Sequence, residues 1–290
     1  MAVDKVTENA HRAHQQALLT ILKEFDRICK QLHIPYVLFA GTLLGAVRHS
    51  GFIPWDDDVD VIMRRKDYDR FLSEAESVLN SEKFYLQKEF SQHWPMFFSK
   101  LRMNNTACLE KFHPKDSKMH QGIYIDIFPC DNAKKTLSGK MLQFYASKVV
   151  IAKSLYKRGY ETKSAAKKAF MLLCRMLPLK PFLSIAKSGS NEINELHSFF
   201  AAASSYKKNV YPLSYFANSI STEFEGEKFP IPKEYDALLK QLYGDYMQLP
   251  PEEERVIKQH AILVDLENSY EIYSDYRADM SFDVLTKSIR

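Results

Sequence analysis

Between Thr7 and Leu32 the apolar residues Leu18, Ile21, Leu22, Phe25, Ile28, Cys29 and Leu32 fall three and four apart. That spacing predicts one amphipathic helix. Pro35 pushes the residue before it toward an extended backbone, so the helix is expected to end near His33. Tyr36 to Ala40 is a short apolar run that reads as a buried strand. Gly41-Thr42 breaks it, and a short apolar helix from Leu43 to His49 follows. The loop Ser50 to Trp55 then leads into Asp56-Asp57-Asp58-Val59-Asp60-Val61-Ile62-Met63. From Asp58 on, carboxylates and apolar residues alternate. At the two-residue period of a strand, Asp58 and Asp60 share one face and Val59 and Val61 take the other.

Further along, Lys66 to Leu79 reads as a helix with Phe71, Leu72, Ala75 and Leu79 inward. Strands are expected at Phe84–Phe90, Met96–Met103 and Ile123–Phe128. In the last of these Tyr124, Asp126 and Phe128 share a face. The run from Lys148 to Lys187 carries ten Lys/Arg against one acid, Glu161, interleaved with apolar residues. It reads as helices whose basic surface either faces solvent or rests on an anionic membrane. Ser188 to Ala203 is read as continuing helix, and a helix is expected from Glu234 to Tyr243. The last thirty residues are polar and carry little pattern.

The candidate chemistry follows from the acids. Asp58 and Asp60 held side by side repel each other unless something offsets their charge. Magnesium (or manganese) is the usual answer, bound by one or two carboxylates together with substrate phosphates. Asp126, a lone acid in an apolar strand, needs a partner and is the natural third metal ligand or base. This is the pattern of a metal-dependent phosphoryl-transfer site. Lys100 and Arg102 share a strand face, as a phosphate clamp requires or as a solvated face allows.

At 290 residues the chain has room for one large or two small domains, and 46% hydrophobic with 26% charged residues is an ordinary globular composition. The division expected is a catalytic core over residues 1–135 and a helical, basic region over 136–290 that completes the site. No apolar run reaches the length of a membrane span, and no secretion leader is apparent. The four cysteines, Cys29, Cys108, Cys130 and Cys174, are widely spaced. They point to a cytoplasmic protein with reduced thiols, lying at the inner face of the membrane if the basic run is a lipid surface. A net charge of +4 gives no ground for a nucleic-acid partner.

With these residues in view, the chain resembles the LicD family. The resemblance rests on Ala40 to Gly45, Ile53 to Asp60, Lys100-Leu101-Arg102, Tyr124 to Pro129, and the late Tyr243-Gly244-Asp245-Tyr246 with Pro250-Pro251. It implies a branch of the nucleotidyltransferase superfamily, in which Gly-Ser or Gly-Thr precedes a D-x-D and a third carboxylate. Those positions are here Gly41-Thr42, Asp58 and Asp60, and Asp126. The implied fold is α+β, a mixed sheet flanked by helices with a helical C-terminal elaboration. The implied activity is transfer of phosphocholine from CDP-choline to a sugar of a lipid-linked, teichoic acid or lipopolysaccharide type of glycan. Relatives such as fukutin move ribitol phosphate from its CDP form.

Several residues keep two readings at this point. Gly41 and Thr42 form a strand-to-helix turn and can also bring backbone N–H groups to a phosphate. Arg48 is a phosphate ligand or a helix C-terminal cation. Asp56 lies behind the ligands or merely precedes the strand, and Asp57 points away as a structural residue. Trp55, Trp94 and Tyr124 are candidates for a choline cage, since aromatic faces bind quaternary ammonium groups, or are ordinary packing. His113, His120 and His260 have no metal-ligand spacing. Two other functions share the same residues: transfer of a nucleoside monophosphate, and a non-catalytic glycan-assembly factor, against which the intact acids argue.

Overall fold

The structure, a computed structural model, describes residues 5–110, 118–189, 194–201, 206–257 and 261–273. His113 and His260 lie outside these residues. The chain begins with the long helix α1 (Lys5–Leu32), then β1 (Val37–Leu38), α2 (Ala40–His49), β2 (Asp60–Arg64) and α3 (Arg65–Glu74). Strands β3 (Phe84–Gln87), β4 (Ser99–Met103), β5 (Ala107–Glu110) and β6 (Tyr124–Asn132) follow. Three helices come next: α4 (Leu137–Lys157), α5 (Ala165–Met176) and α6 (Leu179–Lys187). The remainder is β7 (Glu195–His197), β8 (Val210–Pro212), β9 (Ser219–Phe224), β10 (Glu227–Pro232), α7 (Tyr235–Tyr243) and β11 (Ala261–Asp265).

The fold is α+β. Its main sheet runs β1-β2-β6-β4-β3, and β7 and β8 extend it from the far end of β6. β2 and β6 pair parallel, whereas β6 is antiparallel to β4 and β7. The long β6 is the hub. Val61, Leu101, Ile125 and Ile127 are fully buried in the central core cluster, together with Leu18, Ile21, Leu22, Phe25 and Ile28 of α1 and Phe71 of α3. The three-and-four spacing of α1 thus becomes the stripe that covers the sheet.

One expectation changes, and one element was not anticipated. Ser188 to Ala203 is not continuous helix, because Glu195–His197 pairs with β6 and β8. His197 lies opposite Asp131 in that pairing and is fully buried, a place that sheet register supplies and a helical reading misses. The unanticipated element is a hairpin, β9 and β10, joined at Glu225-Gly226 with φ of 54° and 78°. Both values lie in the left-handed region, as a tight two-residue hairpin requires. The hairpin is functional scaffolding. Glu225 accepts from the Phe52 N–H at 3.0 Å and pairs with Arg12, so it fixes the loop before the acids from both sides.

Candidate active site

The acids meet through sheet register. Asp60 of β2 lies directly beside Asp126 of β6, and Asp126 directly beside Lys100 of β4. Neighbours in register point to the same face. A row Asp60–Asp126–Lys100–Gln87 therefore crosses four strands, with Tyr124, Arg102 and Tyr85 in the adjoining row. The strand of β2 begins at Asp60 rather than Asp58. Asp58 lies on the extended lead-in, where the Asp126 N–H donates to Val59 O at 2.8 Å and carries the parallel pairing on by hydrogen bond.

Local structure holds this lead-in from three directions. Thr42 Oγ1 accepts from the Asp60 N–H at 2.8 Å, and the Phe39 N–H donates to Asp60 O at 3.0 Å. Gln15 of α1 donates to Asp56 O at 2.9 Å. Gly41 lets the Asp56 side chain come close: a Cβ there would stand 2.8 Å from Asp56 Oδ2 and push that carboxylate aside. Phe39, the residue before α2, has no side-chain cap for the first-turn N–H groups of that helix. Asp57 is buried near His11 and His14, consistent with a structural role.

Burial pushes the pKa of Asp60 far up, and the charges of Asp58, Asp126 and Asp56 push it further, against Lys100. Burial also raises Asp126, which Lys100 only partly offsets. Lys100 Nζ is 3.2 Å from Asp126 Oδ1, yet that oxygen lacks an aligned hydrogen bond. Burial and mutual repulsion thus disfavour the charged forms of Asp60 and Asp126, a cost that a bound cation would relieve. Among the described residues, no three His, Cys, Asp or Glu side chains already stand together as metal ligands. Hard carboxylate oxygens in a charge-rich row nevertheless fit a divalent cation by their chemistry.

Lys100 and Arg102 are not a solvated strand face. Their exposures are 1% and 0%. Arg102 donates to Gln87 Oε1 at 2.8 Å and to Gly122 O at 2.7 Å. Lys100 Nζ sits 3.1 Å from the centre of the Tyr124 ring, with Trp94 at 5.1 Å and Phe98 at 5.6 Å. These rings form a cage that the chain's own ammonium fills. Trp94 is wholly buried, with its indole N–H donating to Phe98 O at 2.7 Å, which removes it as a ligand face. Trp55 is half-buried, edge-on to His49 at 6.4 Å.

Glu110, Arg158 and Arg255 escaped the sequence reading, and Tyr243 entered it only as part of the late motif. Glu110 accepts from Tyr124 at 3.0 Å and pairs with Arg158 at 2.5 Å and Lys100 at 3.7 Å. Burial opposes its charge, but Lys100, Arg158 and Arg102 outweigh that and hold its carboxyl well below the usual range. Arg158 was hidden in the basic run. Tyr243, at the end of α7, has its hydroxyl pKa pushed up by burial and then by Asp60, Asp56 and Asp58. Arg48 donates to Tyr246 O at 2.8 Å, and its pKa is lowered by burial and then by Arg255. The late Tyr-Gly-Asp-Tyr stretch therefore folds back onto the acids, bringing Tyr243, Arg48 and Arg255 to one side of them.

Sheet, acid row and late stretch together define a nucleotidyltransferase-like site. Residues 33–169 match the family model described as LicD/FKTN/FKRP, nucleotidyltransferase domain. The chain is 32% identical over 267 residues to the lipopolysaccharide cholinephosphotransferase LicD of Haemophilus influenzae, covering 87% of this chain and 96% of that protein. Uncharacterised proteins of Rickettsia prowazekii and Rickettsia typhi are each 41% identical over 51 residues, 18% of this chain and 19% and 16% of theirs. The chain belongs to the LicD family.

Proposed function

We propose that this protein transfers phosphocholine from CDP-choline to a sugar hydroxyl of a lipid-linked cell-surface glycan precursor, of lipopolysaccharide or teichoic acid type. The observation that carries the reading is the near-full-length similarity to a lipopolysaccharide cholinephosphotransferase, in a chain that keeps Asp58, Asp60 and Asp126.

The residues divide the work. Asp126 is the candidate base for the acceptor hydroxyl, since burial raises its pKa from the ordinary carboxylate range and makes it a better proton acceptor. The uncapped start of α2, at Gly41 and Thr42, can offer backbone N–H groups to a phosphate. Tyr243 feels the charge of the acids and Arg48 lies by Tyr243, which makes both candidate donors to leaving-group charge. Lys100 and Arg102, buried beside Asp126 and Tyr124 on the same face, set the charge of Asp126 and the posture of Tyr124. Asp58, Asp60 and Asp126 would hold magnesium or manganese, which supplies charge neutralisation and alignment of the phosphates.

Transfer with doubly labelled CDP-choline tests this reading. Choline label is expected on the acceptor and cytidine label in free CMP. Cytidine label on the acceptor would replace the proposal with nucleoside-monophosphate transfer. Absence of any metal-dependent turnover would leave a non-catalytic assembly factor.

A further inference from the structure

The helix α5 is amphipathic in the wrong sense for a helix on a protein surface. Its only buried residues are Met171 and Cys174, which pack on Ala152 of α4. At 3.6 residues per turn, Ala165, Ala169, Leu172, Leu173 and Met176 form one stripe on the opposite, outward side. All five are exposed, Leu173 to 70% and Met176 to 79%. Phe170 and Leu177, also exposed, widen it. A solvent-facing helix normally places charge there. Instead the charges lie at the margins: Lys168 beside the stripe, Lys163 before it and Lys180 just after it, all exposed.

The helix is firmly held in this orientation. Lys153 of α4 donates to the Arg175 and Leu177 carbonyls at 2.7 Å each, closing the helix end. Arg175 donates to Tyr156 OH at 2.8 Å, and Lys167 Nζ lies 4.6 Å from the centre of the Tyr160 ring. The apolar stripe is thus fixed outward rather than an accident of a loose helix. Among the described residues, no single helix is long and apolar enough to cross a membrane. α5 and α6 are bent by 103°, and the 12 residues of α5 reach only about 18 Å, against ~30 Å of hydrocarbon.

We propose that the outward face of α5 seats the protein on an anionic lipid bilayer. The apolar stripe lies in the interface and the flanking lysines meet the headgroups. Charge complementarity selects the occupant: Lys163, Lys168 and Lys180 rim the stripe against one acid, Glu161, which lines the same hollow as Lys168 and Leu172, and this cationic balance suits an anionic surface. The consequence for catalysis rests on the transfer reaction proposed above. Arg158, one residue beyond α4, pairs with Glu110 beside Lys100 and Asp126. The helix that carries the membrane seat therefore ends at the charge cluster under the site, where a lipid-anchored acceptor would be presented.

Flotation of the full chain with phosphatidylglycerol–phosphatidylethanolamine vesicles, against phosphatidylcholine vesicles, tests the seat. Binding is expected to the anionic vesicles at low salt and to fall as salt rises. The double variant Leu173→Ser/Met176→Ser should lower partitioning by about tenfold or more, since two large side chains no longer leave water. Lys168→Glu/Lys180→Glu should also lower it, and covers the case in which the first variant fails to fold. Asp126→Asn should bind vesicles like the parent although it is inactive, which separates this proposal from the catalytic one. No flotation of the parent at low salt, or undiminished flotation of Leu173→Ser/Met176→Ser, overturns the proposal. So does a dimer that this variant converts to monomer with no vesicle binding, which would assign the face to a second copy.

Discussion

Lys100 Nζ lies 3.2 Å from Asp126 Oδ1, with Lys100 sealed from water and Asp126 half-buried at the edge of the site. Breaking a buried ion pair from one side strands the other charge, which typically costs about 3–5 kcal/mol. Lys100→Met is therefore expected to lower stability by about 3 kcal/mol or more. Asp126→Asn should cost less, because Glu110 still lies 3.7 Å from Lys100 and the change removes a charge that burial and Glu110 disfavour. The double variant should be more stable than the sum of the singles implies, by about 1 kcal/mol. Urea unfolding of the four proteins gives the cycle, and strict additivity would show that the pair does not interact.

The acid row gives a catalytic prediction. Asp58→Asn, Asp60→Asn and Asp126→Asn should each reduce transfer by about 10²-fold or more while the protein stays folded. Asp60→Asn is expected to be at least as stable as the parent without metal, since burial and three neighbouring acids already disfavour the Asp60 charge. Turnover close to the parent in any one variant would remove that residue from the essential set.

How much of this was legible beforehand follows from the range of each interaction. Asp58, Asp60 and Asp126 could be picked out because strand alternation is local and their chemistry is unusual for an apolar run. That Asp60 and Asp126 are direct neighbours is a matter of register between strands 66 positions apart, which no local pattern encodes. Arg158 looked like one cation among ten, and only the return of α4 to β5 singles it out. The β9–β10 hairpin was missed because Ser219 to Thr222 lie on an exposed or half-exposed face and lack strand alternation. Trp94 and Tyr124 read in the sequence as a choline cage or as packing, and the cation that faces them in the fold is Lys100, which no local pattern links to them.

The buried histidines set the acid limit of stability. Burial lowers His14 to about 4 and His197 to about 4, against an ordinary 6.5. A depressed pKa means the unfolded chain takes up the proton first. Stability from these groups is complete above 6.5 and is lost as pH falls toward 4. Each contributes about 1.4 kcal/mol per pH unit in that window. Unfolding free energy should fall steeply between pH 6.5 and 4, and His14→Asn should flatten the slope even if it lowers the plateau. An unchanged slope in that variant would mean that His14 is protonated in the native state.

Tyr243 tests whether the late stretch takes part in the reaction. Burial and the nearby acids keep its hydroxyl protonated, so it is a donor at any working pH. Tyr243→Phe removes only that donor. A single neutral hydrogen bond is worth about 1 kcal/mol, so kcat should fall by about five- to tenfold with unchanged stability. Full activity in Tyr243→Phe would confine the residue to packing.

Under the proposed phosphocholine transfer, the seat of the donor's choline end is the remaining question, and Trp55 is the candidate. Of the three aromatic candidates, Trp94 is sealed and Tyr124 already faces Lys100, whereas Trp55 is half-exposed and directly precedes Asp56. A quaternary ammonium over an indole face gains about 0.5–2 kcal/mol, depending on how far water is excluded. Trp55→Ala is therefore expected to raise the KM for CDP-choline by about threefold to thirtyfold, with a smaller change in kcat. The same variant should change the KM for CDP-ribitol much less, because that donor has the same diphosphate and nucleotide but no cationic head. Equal effects on both donors would mean that Trp55 supports the loop and does not bind choline. The phosphocholine-transfer reading would then stand, and the cation site would have to be sought among the residues that gather at Tyr243.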